Sequence, residues 1–143
     1  MPISGVHQGT LEGLQYARLL SDDVTAVHIS IDPVETEKVQ KKWLKWGSGA
    51  RLVILDSPYR LFIEPLLKYL EDIIDHRQPN ETITVVVPQF IPAKRWQNAL
   101  HMRTAEVLRN ELLSKSGVVV TDVPYRLVEN GKLRRPHAGD DID

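Results

Sequence analysis

A chain of 143 residues, 42% hydrophobic and 26% charged, has the size of one globular domain: long enough to bury a core, too short for two independent units. Eighteen Lys and Arg against nineteen Asp and Glu leave a formal net charge of −1, which excludes an overall field that would draw the chain to nucleic acid or to an anionic membrane. Cysteine is absent, so disulfides, thiolate catalysis and cysteine-zinc sites are excluded, in keeping with a reducing, cytoplasmic setting.

In chain order, Met1-Pro2-Ile3-Ser4-Gly5 reads as the end of a strand meeting a glycine turn, with the front of that strand missing. Thr10 can cap a helix that places Leu11, Leu14, Ala17 and Leu20 on one face. Residues 25–31 are rich in Val, Ile and Thr and predict a strand. Residues 34–46 have helical spacing, with Trp43 and Trp46 as a packing face among solvated lysines. A strand is expected at 52–55, then a helix over 65–77 with Pro65 in its first turn, then a strand at 83–87. The longest helix is expected over 92–114, where Trp96, Ala99, Leu100, Ala105, Leu108 and Leu112 make an apolar stripe. Residues 118–121 predict a last strand, and the 118–123 run, with a glycine before it and a proline after it, is expected at a sheet edge. Short strands alternating with helices predict an α/β domain over 1–127 with a mostly parallel sheet. Residues 128–143 have little to bury and are expected to form a flexible polar tail. No apolar run is long enough to span a bilayer and no signal peptide is visible, so the chain is expected to be soluble.

Three segments can carry chemistry. Ser4-Gly5-Val6-His7-Gln8-Gly9-Thr10 joins a strand remnant to a helix start, where free N–H groups favour an anion, although a tight turn capped by Thr10 needs the same glycines. His7 is the residue a turn explains least. Asp56-Ser57-Pro58-Tyr59-Arg60 is echoed by Asp122-Val123-Pro124-Tyr125-Arg126. In each, proline ends a strand, tyrosine offers a flat ring, and arginine can grip phosphate with two N–H groups; tyrosine packing on the core edge would read the same. Pro88-Gln89-Phe90-Ile91-Pro92 is a rigid exit from a strand, suited either to meeting a planar base or to covering the sheet end. His101 falls on the long helix, where a lone histidine also serves as a packing residue. Gly-x-Ser-x-Gly and His-x-x-x-His are both absent, no acid/base pair stands out, and a binding module is favoured over an enzyme, with no metal and no required cofactor.

Taken together, Pro2-Ile3-Ser4-Gly5-Val6-His7, Asp22-Asp23-Val24-Thr25-Ala26-Val27-His28, Trp43-Leu44-Lys45-Trp46, Ser57-Pro58-Tyr59-Arg60, Val87-Pro88-Gln89-Phe90-Ile91-Pro92 and Val120-Thr121-Asp122-Val123-Pro124-Tyr125 resemble the cytosolic C-terminal domain of potassium importers in the amino-acid permease superfamily. The resemblance covers about residues 2–127. It implies a universal stress protein-like fold: a Rossmann-like three-layer sandwich with a five-stranded, mostly parallel sheet, usually paired as a homodimer. It further implies a regulatory domain attached to a transmembrane transporter, binding cyclic di-AMP and shutting down uptake when potassium is plentiful.

The ATP-binding universal stress proteins carry a Gly-x2-Gly-x9-Gly-Ser/Thr loop after the fourth strand; residues 88–92 hold no glycine, which argues against ATP. On the resemblance, the ligand-binding residues are His7 and Gln8 after the first strand and Ser57, Tyr59 and Arg60 after the third. Gln89, Phe90 and Ile91 after the fourth, with Trp96 and His101 beyond, complete the set. Arg60 would meet phosphate, and Tyr59, Phe90 and His7 would flank adenine. The sequence departs from the family at Met102-Arg103, where Asn-Gln is commoner, and at Arg126, where histidine is commoner. The alternatives are a free-standing stress-type protein that binds a mononucleotide and a dimerisation domain without ligand.

Overall fold

A computed structural model describes residues 1–91 and 104–126, with the backbone alone at 89–91, 104, 105, 125 and 126. Strands and helices alternate: β1 (Pro2–Ile3), α1 (Gln8–Leu20), β2 (Thr25–Ser30), α2 (Pro33–Trp46), β3 (Arg51–Asp56), α3 (Ile63–His76), β4 (Ile83–Ile91), α4 (Thr104–Leu112) and β5 (Val118–Arg126). Each strand pairing is parallel, as the alternation predicts.

The strands form two small sheets, β1-β2-β3 and β4-β5, where the family resemblance implies one sheet of five. The gap falls between β1 and β4, which touch without forming a ladder. Its physical origin lies in the two strands themselves. β1 offers only two residues, and Pro88 in β4 has no N–H to give.

One core nevertheless spans both sheets. Val27 and Ile29 of β2 share a cluster with Val85 and Val87 of β4, covered by Leu66, Leu70 and Ile74 of α3 and by Leu108 and Leu112 of α4. Ala26 of β2 and Ile3 of β1 belong to a separate cluster with Leu14 of α1 and Val39 and Trp43 of α2. The alternation of β2 residues between these clusters is the period of two of a strand buried on both faces. The result is three layers, with α1 and α2 on one side and α3 and α4 on the other. Leu66 and Leu108 are fully buried, and each such side chain stabilises the fold by about 1.5–3 kcal/mol.

Local chemistry sets the element ends, sometimes away from their predicted positions. Asp32 caps α2 by accepting from Val34 N at 2.9 Å, with Pro33 at the first helical position. Trp43 is buried and its Nε1 donates to the Ala50 carbonyl at 2.7 Å, which fixes the turn into β3. Thr10 is not the cap of α1. The helix starts at Gln8, His7 takes the cap position, and Thr10 Oγ1 donates to the Gly5 carbonyl at 2.6 Å while accepting from His7 N at 3.4 Å.

β4 and β5 both continue through prolines that the sequence predicts as strand ends. Each strand has one side without a ladder partner, where a missing N–H costs no hydrogen bond. Of the predicted 92–114 helix, α4 buries Leu108 and Leu112 as expected. The remaining part, with Trp96 and His101, and the 128–143 tail lie outside the described residues.

Candidate functional site

Parallel strands end on one side of a sheet, so the loops after β1 and β3 open at the same end. After β1 the chain turns through Ser4–His7 and starts α1 beside the junction of the two sheets. The half-buried His7 has an extended backbone, φ −136°, and Gln8 and Thr10 behind it are buried. The first turn of α1 thus follows directly on β1, which pairs with β2 and touches β4. Open α/β sheets bind ligands at such switch points.

The loop after β3 is held from within. Ser57 N donates to the Ser30 carbonyl at 3.1 Å, and Arg60 N donates to the Ser57 carbonyl at 3.0 Å. The buried Ser57 hydroxyl donates to the Leu61 carbonyl at 2.6 Å and accepts from Leu61 N at 2.8 Å, closing the turn from both sides. Ser57 thus positions the loop, its proton already committed to Leu61. The turn holds Arg60 at φ 60°, a left-handed conformation that costs a non-glycine residue about 1–2 kcal/mol. Tyr59 is 84% exposed, which removes the reading in which it packs on the core edge. Tyr59 and Arg60 are presented to solvent after β3, a strand that lies two strand spacings, about 10 Å, from β1.

The echo of this motif has a different structure. Asp122-Val123-Pro124-Tyr125-Arg126 lies wholly within β5, so its first copy is a turn and its second a strand. Gln89, Phe90 and Ile91 are likewise strand and not a rigid loop; their backbone pairs in register with Pro124, Tyr125 and Arg126. They sit at the C-terminal end of β4, the strand next to β1.

Two features were not singled out in the sequence. An open groove of about 620 Å³ begins at Arg60 and is lined by Leu61, Phe62, Ile63, Glu64, Leu67, Lys68 and Glu71, a volume in the range of small-ligand sites. Its signal was available in the helical spacing of Glu64, Leu67, Lys68 and Glu71. The other feature is His28, buried on β2 with Nδ1 donating to the Ile3 carbonyl at 3.2 Å and Nε2 3.4 Å from Thr36 Oγ1. Thr36 Oγ1 also lies 2.8 Å from Ser30 Oγ. Burial holds the His28 ring below its ordinary pKa, with the Ile3 carbonyl opposing that shift. This network ties β1, β2 and α2 together behind the loops. Among the described residues, no group of three His, Cys, Asp or Glu is placed to hold a metal ion.

Comparison with known proteins gives this arrangement its setting. The sequence model for the KimA potassium transporter C-terminal domain matches residues 1–125. The chain is 39% identical over 127 residues to the potassium transporter KimA of Bacillus subtilis (strain 168), which covers 87% of this chain and 21% of that protein. The chain thus spans about a fifth of the length of this relative. Among the described residues, no helix is long and apolar enough to cross a membrane. The matched family is one of transporter domains and not of enzymes. The chain belongs to the family of KimA potassium transporter C-terminal domains.

Proposed function

We propose that this chain is the nucleotide-sensing, cytosolic regulatory domain of a potassium importer, binding cyclic di-AMP across a homodimer and thereby inhibiting transport. The observation that supports this best is the Ser57 turn, which holds a strained Arg60 and an unpacked Tyr59 at the same end of the strands as the α1 N-terminus. Backbone strain of this kind clusters at ligand sites. In this reading the two sheets are halves of a universal stress protein-like sheet ordered β3-β2-β1-β4-β5, with the switch point at β1 and β4.

Arg60 meets a phosphate with its planar fork, and Tyr59 and Phe90 offer flat surfaces to adenine. The apolar wall of Leu61, Phe62 and Ile63 beside Arg60 adds room for a base. His7, Gln8 and the first turn of α1 complete the anion-facing side. Cyclic di-AMP has two adenines and two phosphates related by two-fold symmetry, so a two-fold dimer offers equivalent groups to each half. β5 ends one sheet and leaves Val119 46% exposed, which suits it to self-pairing.

Regulation is then a coupling: the ligand favours one arrangement of the paired domains, and that preference is passed to the membrane part. Isothermal titration with cyclic di-AMP, ATP and AMP tests the proposal. Heat is expected with cyclic di-AMP alone, weakened at least tenfold in Arg60→Ala with an unchanged circular dichroism spectrum. Heat with AMP or ATP instead identifies a mononucleotide binder, and no heat with any of them contradicts the sensor reading.

A further inference from the structure

β3 is the last strand of its sheet, with β2 on one side and, among the described residues, no strand on the other. Its ladder shows which backbone groups are left over. Ser57 N donates to the Ser30 carbonyl, and Ser30 stands in register with Asp56. In a parallel ladder this turns the N–H and C=O groups of Arg51, Val53 and Leu55 toward β2, and those of Leu52, Ile54 and Asp56 outward. A row of outward backbone groups is a template for another strand.

Edges are commonly protected by a proline, a bulge or an inward-pointing charge. β3 has none of these: its register with β2 is unbroken from Arg51 to Asp56, and the residues between those two are apolar and half-buried. Charge sits only at the exposed ends, Arg51 where the strand starts and Asp56 where it stops. On the face where Leu52 packs, α2 has the same polarity, because it runs back from Asp32, Glu35 and Glu37 to Lys41, Lys42 and Lys45. On the face where Val53 and Leu55 pack, Arg60 and Glu64 stand at the start of α3, Lys68 midway, and Glu71, Asp72 and Asp75 toward its end. Two copies set edge to edge in the same direction would bring lysine against lysine and acid against acid. Turned end for end, they bring Asp56 toward Arg51 and the lysine end of α2 toward its acidic start, and they separate the acids of α3.

We propose that β3 pairs antiparallel with β3 of a second copy about a two-fold axis at Ile54. This register uses all three outward residues: Ile54 faces Ile54 of the second copy, and Leu52 faces Asp56. Arg51 then lies one residue along from Asp56 of the second copy. A single strand pair buries too little to hold two dilute chains together, so it acts between copies that are already concentrated. With β5 as the proposed dimer edge, β3 joins one dimer to the next, and the β3 contact itself does not depend on that reading.

The chain holds no cysteine, so a cysteine placed on β3 brings the only thiol. The test is covalent trapping of the 143-residue chain at high concentration with a short bis-maleimide, in a Val119→Lys background that keeps β5 from pairing. Ile54→Cys is expected to give a covalent dimer, since opposed residues of a hydrogen-bonded pair lie about 5.5 Å apart. Asp56→Cys, although more exposed, is expected to stay monomeric, because the two copies of that residue stand about 13 Å apart along the strands. Leu52→Cys/Asp56→Cys puts one thiol opposite the other and should trap the dimer without altering Ile54. Arg51→Asp added to Ile54→Cys should lower the trapped fraction at least threefold, and Arg51→Asp/Asp56→Arg should recover it. Circular dichroism checks the fold of each variant. A dimer from either cysteine probe with Asp56→Cys monomeric supports the pairing; no dimer from either, equal trapping of Asp56→Cys, or no response to Arg51→Asp overturns it.

Discussion

His28 shows how much one side chain can couple. Its Nδ1 holds the Ile3 carbonyl of β1, which has only two residues with which to keep its register, and its Nε2 faces α2 through Thr36. Because burial lowers its pKa from 6.5, the unfolded chain binds the proton more tightly than the folded one. The stability from neutral His28 is therefore present above about pH 6.5 and is lost as pH falls below that value toward the folded-state pKa. The exposed His76 acts with the opposite sign, since the Asp72 carbonyl and carboxylate raise its pKa. Urea midpoints should fall between pH 7.5 and 5.5. In His28→Asn the fall should flatten, with a loss of about 1 kcal/mol already present at pH 7.5. Parallel profiles for the two proteins would contradict this role. The sequence places His28 on the Ala26 side of β2 by simple alternation. Its partners come from β1 and α2, a convergence that no local pattern contains. Ser57 is similar: its motif is visible, but its bonds to the Leu61 backbone exist only once the turn has closed.

At the scale of elements, α1 and β4 meet at Gly13. A Cβ there would stand 2.8 Å from Pro88 Cγ, so the close approach of the helix to the strand depends on the missing side chain. Gly13→Ala gains about 1 kcal/mol of helix propensity yet pushes the two elements apart. A net loss of about 1–2 kcal/mol in urea denaturation is expected; an unchanged or raised midpoint would show that α1 and β4 do not bear on one another. The same contact accounts for part of what was legible. Strands β2 and β3 and the buried faces of α2, α3 and α4 follow from periodicity, because both faces of the sheet are covered. The ends of β4 and β5 do not, because proline breaks a strand only where its N–H is needed, and that depends on neighbours. The split between β1 and β4 has the same cause. Thr10 was misplaced by three positions because a capping box has two polar members and the sequence alone marks only one.

For the whole molecule, the central question is whether two copies act together. β5 closes one sheet with a half-exposed Val119, and the proposed ligand has the symmetry of a two-fold pair. Sedimentation velocity should show a dimer, and Val119→Lys should shift it to monomer by placing a charge on the edge. A wild-type monomer at all concentrations would leave cyclic di-AMP without a symmetric site. Near-neutral net charge does not count against the proposed anionic ligand, because Arg60 stands exposed in the turn after β3 and a local cation suffices to meet a phosphate. The most direct test of the account is the stoichiometry of cyclic di-AMP binding by calorimetry. One molecule per two chains, lost in Arg60→Ala and absent for ATP, is the expected result. No binding, or one molecule per chain with Arg60→Ala unaffected, would contradict it.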